Sequence, residues 1–113
     1  MYMLVAGSRE AVSQARRWAT DVAFRTGLDA ELASVVELLT GELVADAVLF
    51  GDGDIGVHAN RLDGQFIVSV TDASNDLPGA RAGRVVQRLA NQWGADRNYP
   101  TGKTVWASIS TDE

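Results

Sequence analysis

Apolar residues recur along this chain with two periods, and the switch between them divides it into helices and strands. From Arg9 to Thr26 there is no Gly or Pro. Val12, Ala15, Ala19 and Val22 fall there at helical spacing, which predicts a helix with Gly27 as its stop. Asp29 stands at the N-cap of a second predicted helix, about Ala30 to Phe50 and closed by Gly51. Leu32, Val35, Val36, Leu39, Leu43 and Ala47 trace one stripe along it, interrupted only by Gly41. After the GDGD turn at 51–54, the alternating segments IGVHANRL (55–62) and QFIVSVTD (65–72) are joined through Asp63-Gly64, which predicts an antiparallel hairpin. ASNDLPGARA (73–82) reads as a loop. Gly83 to Trp93 reads as a short helix with Val85, Val86, Leu89 and Ala90 on one side, GADRNYPTG (94–102) as a turn-rich connection and KTVWASIS (103–110) as the last strand. YMLVA at 2–6 is a short apolar strand or arm ended by Gly7.

This order predicts an α+β fold, a two-layer sandwich in which a mixed or antiparallel sheet is covered by helices on one face. The 113 residues, 46% of them hydrophobic, suffice for a single domain spanning 1–113 and leave no room for a second core.

Fifteen acidic against ten basic residues give a net charge of -5, and no basic cluster is denser than Arg16-Arg17. That argues against nucleic acid as a partner, because a phosphate backbone is held through accumulated positive charge. With no cysteine and one histidine, His58, thiolate metal sites and a Ser-His-Asp triad have little to draw on, and His58 reads as a strand residue. No apolar run approaches the roughly 20 residues of a spanning helix and no basic leader precedes the first segment, so a soluble, cytoplasmic protein without a membrane partner is expected.

Against this background the second helix carries two carboxylates one turn apart, in ELVADAV at 42–48. Taking Leu32 as zero on a helical wheel, Asp46 falls about 40° and Glu42 about 80° to one side of the apolar stripe. Like charges at this spacing repel by roughly 0.2–0.5 kcal/mol, so a bound cation or a polar pocket would account for them. Solvated carboxylates on the flank of a helix in an acidic protein are the alternative, and the spacing alone does not decide. Asp72 ends the strand FIVSV beside loop 73–82, where a side chain can meet a ligand or simply start a turn. TGKT at 101–104 invites a phosphate-loop reading but fails it. The first glycine of that motif would be Arg97 and a strand follows, so Gly102 opens the last strand. Gly83-Arg84, at the start of the short helix, would let a phosphate approach free N–H groups; a glycine that merely ends a loop is the plainer reading. Trp18, Trp93 and Trp106 read as core or core-edge residues.

Taken in order, ELVADAV, a hairpin ending VTDAS, a loop, GRVVQRLANQWG and finally GKTVWASI resemble the histidine-kinase-like ATPase (GHKL, Bergerat) fold. Within it they resemble the small ATP-binding proteins related to anti-sigma-factor serine kinases, over roughly Ser8 to Ile109. The resemblance implies ATP and magnesium as cofactors. It implies Glu42 as the general base, Asp46 at the position of a magnesium-holding Asn, Asp72 on the adenine amino group, Thr104 supporting that contact through water, and Gly83 and Arg84 at the phosphates. It also implies a sigma factor or an anti-sigma antagonist as protein partner, and a homodimer.

The departures bear on activity. The family's D-x-G-x-G reads Asp72-Ala73-Ser74-Asn75-Asp76, and its G-R-G-L reads Gly83-Arg84-Val85-Val86, with a β-branched residue at the point of closest approach. The lid is shortened to the ten residues Ala73–Ala82, too few to wrap a triphosphate and exclude water. Aspartate at 46 adds negative charge beside phosphates. The expectation is therefore an anti-sigma-like regulatory protein with a weakened or lost nucleotide site. The alternatives are a working ATP- and magnesium-dependent serine protein kinase acting on an anti-sigma antagonist, and a non-catalytic protein-binding or dimerisation module.

Overall fold

The computed structural model describes residues 1–50, 53–74, 80–98 and 100–111. Gly51-Asp52 of the expected GDGD turn and residues 75–79 of the expected short lid lie outside the described residues. The elements are β1 (Tyr2–Val5), α1 (Glu10–Arg25), α2 (Ala30–Phe50), β2 (Ile55–Leu62), β3 (Gln65–Asp72), α3 (Ala80–Leu89), β4 (Gln92–Arg97) and β5 (Lys103–Ser110). The strands form one sheet in the order β1-β2-β3-β5-β4, antiparallel at every pairing. The α+β fold with helices against one face is as the periodicity predicts.

Burial follows the alternation. Ile55, Val57 and Ala59 of β2, Phe66, Val68 and Val70 of β3, and Val105, Ala107 and Ile109 of β5 are buried beneath the helices. From the other layer α1 contributes Ala11, Ala15, Ala19, Val22 and Ala23, and α2 contributes Val36, Leu39, Leu43, Val44 and Ala47. The small residues of α1 let its axis lie close to α2. Gly41 serves the same approach, since a Cβ there would collide with the Arg16 Nε.

Local chemistry fixes the joints. Asp63 and Gly64 both take positive φ, 48° and 78°, as a two-residue hairpin turn requires. Arg61 of the hairpin donates from Nη1 to the Thr26 carbonyl at 2.5 Å, tying the sheet to the C-terminal end of α1. Asp29 caps α2 as expected, its Oδ1 accepting the Leu32 N–H at 2.9 Å. Replacing it with alanine leaves that N–H without its acceptor, so Asp29→Ala is expected to lower the unfolding free energy by about 1 kcal/mol in urea titration.

Two boundaries differ from expectation. The third helix begins at Ala80 rather than Gly83 and ends at Leu89 rather than Trp93, and Gln92–Arg97, expected as helix end and turn, is a strand. The cause is tertiary. β5 presents a free edge, and β4 satisfies it from Gln92↔Ser108 to Arg97↔Lys103 despite Gly94 and Asp96, which are poor strand formers alone. The join is locked by the Asn91 N–H on the Ser108 carbonyl at 2.8 Å and by Asn91 Oδ1 accepting the Ser110 N–H at 2.6 Å. Gly94 is required because the Trp106 indole lies over it, 2.8 Å from where a Cβ would stand. Trp18 packs at the edge of the core and Trp106 is half-buried, whereas Trp93 is exposed on the edge strand.

The second face of the sheet carries the row Tyr2, His58, Ser69, Trp106 and Gly94. His58 is an exposed strand residue there, its ring edge-on to Tyr2 with centroids 4.6 Å apart.

Candidate functional site

At one end of the sheet β3 finishes and β5 begins, which sets Asp72 across from Lys103 and Thr71 across from Thr104, while α2 packs against both β3 and α3. The helical wheel orders the two α2 carboxylates correctly: Asp46, nearer the apolar stripe, is buried at 7% exposure, and Glu42 is half-buried. Both have polar or electrostatic interactions within the chain. Gly83 sits one turn inside α3 rather than at its start, with nothing within 4 Å of the place of a Cβ. Arg84 is exposed, Val85 half-buried and Val86 buried.

Asp72 lies on the helix-facing side of β3, in phase with Phe66, Val68 and Val70. Directly across the ladder stands Lys103, the first residue of β5. Its Nζ donates to Asp72 Oδ2 at 2.9 Å and to Oδ1 at 3.1 Å. Both side chains are only 2% exposed. Oδ1 also accepts the Ser74 N–H at 2.8 Å, so the carboxylate both anchors a buried cation and starts the turn after β3. The backbone closes tightly over this pair. Gly102 takes φ +97°, and a Cβ on it would stand 2.6 Å from the Asp72 carbonyl oxygen.

Thr104 is placed apart from Asp72. Being one residue beyond Lys103, it faces the opposite side of the sheet, where its Oγ1 meets Thr71 Oγ1 at 2.8 Å and accepts from Asn98 Nδ2 at 3.1 Å. The structure thus brings Asp72 together with Lys103, not with Thr104. The signal for this was in the alternation of KTVWASIS. Lys103 shares the phase of Val105, Ala107 and Ile109, so it lies on the buried face and needs a carboxylate, and Asp72 is the acid in register.

Magnesium at this end would draw on Asp46, with Glu42 one turn away. Among the described residues no three His, Cys, Asp or Glu side chains converge as a metal cage. A magnesium ion shared with phosphates needs only one or two carboxylates, so the donor chemistry of Asp46 fits such an ion when a ligand supplies the remaining oxygens. The adenine end fits less well. With Lys103 and Ser74 in place, Oδ1 of Asp72 accepts twice and Oδ2 once, leaving a single acceptor position on the carboxylate.

No family model and no curated protein matches the chain. Among solved structures it is similar to the RsbU and RsbW domains of Rv1364c from Mycobacterium tuberculosis, with a TM-score of 0.81 at 17% identity. The match covers 97% of this chain and 32% of that one. This chain therefore corresponds to about a third of the neighbour's length. At that identity the likeness establishes the fold alone: among the described residues, one sheet of five antiparallel strands with three helices.

Proposed function

We propose that this domain is an anti-sigma-like regulatory module that acts by binding a protein, with its nucleotide site weakened or closed by its own side chains. The fold shared with a structure of RsbU and RsbW domains supports the regulatory reading. The observation that carries the second half is the Asp72–Lys103 pair. The carboxylate that the family resemblance assigns to an adenine amino group is already held by an ammonium at 2.9 and 3.1 Å, in a contact almost sealed from water. An incoming base would have to displace a buried charge, whose desolvated partner would then be left unpaired. The partner, on this reading, is a sigma factor or an anti-sigma antagonist, and nucleotide is not needed to hold it.

The runner-up is a working serine kinase with Glu42 as base, Asp46 on magnesium and Asp72 on adenine. It is favoured by the placement of two carboxylates one turn apart on α2, Asp46 buried and Glu42 half-buried. Calorimetry with ATP or ADP and magnesium separates the two. No saturable heat at millimolar nucleotide is expected; saturable binding that Asp72→Asn abolishes would establish the kinase-type site instead.

A further inference from the structure

The geometry points to Lys103 as a tethered occupant of an amine-accepting pocket whose receptor is Asp72, so that residue 103 decides whether this end of the molecule takes a ligand from solution. The inference rests on the reading of the site as closed to nucleotide, and identifies the side chain that closes it.

The receptor is built without help from the Lys103 side chain. The Asp72 backbone is held by β5 on one side, and on the other the β2 ladder ends at the preceding residue, Thr71↔Gly56. The Ser74 N–H orients Oδ1 at 2.8 Å, and the Gly102 turn packs against the Asp72 carbonyl. Removing the lysine side chain therefore leaves an oriented carboxylate facing the space that the lysine stem, only 2% exposed, had filled. Nothing else donates to Oδ2 among the described residues. A carboxylate almost sealed from water recognises a primary ammonium on a slender stem, because that group both neutralises the charge and supplies N–H donors to the acceptor positions. Lys103 supplies this group from the same chain, at an effective concentration no free ligand matches.

The test excises the occupant and returns it. Lys103→Ala removes a propylammonium-sized fragment, and the probe is n-propylammonium chloride, with tetramethylammonium chloride as an equally charged control lacking N–H donors. In the full chain carrying Lys103→Ala, n-propylammonium is expected to raise the thermal midpoint saturably. The rise should be roughly 4 °C or more at about five times its Kd. The unaltered protein, tetramethylammonium and the double variant Asp72→Asn/Lys103→Ala should give no such response. If Lys103→Ala alone does not fold, n-propylammonium is expected to restore a cooperative transition in circular dichroism. A folded variant indifferent to n-propylammonium, an unfolded one that it does not recover, or an equal response in the double variant would overturn the inference. Binding of magnesium-ADP by the unaltered protein would instead sink the closed-site reading of the proposed function, a separate outcome from the amine response.

Discussion

Asp72→Ala is expected to lower the unfolding free energy by about 3–5 kcal/mol, and Lys103→Met by a similar amount. Each leaves a charge in a site where both partners are only 2% exposed. The cost is not the worth of the contact. It is the penalty for a desolvated ion that has lost its partner, and against a total stability of about 5–15 kcal/mol it removes a large share of what holds the domain folded. The double variant Asp72→Leu/Lys103→Met separates these quantities. Replacing a buried pair by apolar side chains of similar volume is often neutral or stabilising by about 1–4 kcal/mol, so the double variant should unfold near or above the unaltered protein. Urea titration followed by circular dichroism measures all three. Single variants that lose under 1 kcal/mol would mean that water reaches the pair. A double variant no better than the singles would mean that the pair supports the end of the sheet in a way apolar packing cannot.

The same pair explains what the sequence made legible and what it hid. Helices α1 and α2 and the β2–β3 hairpin were readable because their signals are local: Asp29 at a cap, Asp63-Gly64 at a turn, and a single apolar stripe on each helix. The burial of Asp46 relative to Glu42 was also readable, because a helical wheel is geometry that one helix carries by itself. Strand β4 was not, because Gln92–Arg97 becomes a strand only by pairing with β5, and nothing in its own residues announces the neighbour. The partner of Asp72 falls between these cases. The family pattern drew attention to Thr104, whereas strand alternation points to Lys103, one residue earlier and on the opposite face. A one-residue shift along a strand exchanges the two faces, so a motif aligned loosely there is uninformative about which side chain meets the carboxylate. The phase of Val105, Ala107 and Ile109 is the more physical guide, because a charge that shares a buried face must be neutralised within reach.

Gly102→Ala is expected to cost roughly 2–4 kcal/mol, combining backbone strain with crowding. The strain arises because φ +97° is a conformation that glycine tolerates and alanine resists. The crowding arises because the new Cβ would stand 2.6 Å from the Asp72 carbonyl oxygen, a backbone atom held by the sheet and unable to swing away as a side-chain tip could. Gly53→Ala is the internal reference. Gly53 also has positive φ, 72°, but nothing lies within 4 Å of its Cβ position, so that variant should show the strain alone, about 1–2 kcal/mol. The difference between the two midpoints in urea therefore isolates the contact between Gly102 and the end of β3. Because Lys103 follows Gly102 directly, relief of the clash must move the first residue of β5. Gly102→Ala should accordingly act partly through the buried pair: combined with Asp72→Leu/Lys103→Met, its cost should shrink, since no ion pair then depends on the placement of Gly102. Strict additivity in this triple variant would mean that turn and pair are independent, and that Gly102 serves the backbone alone.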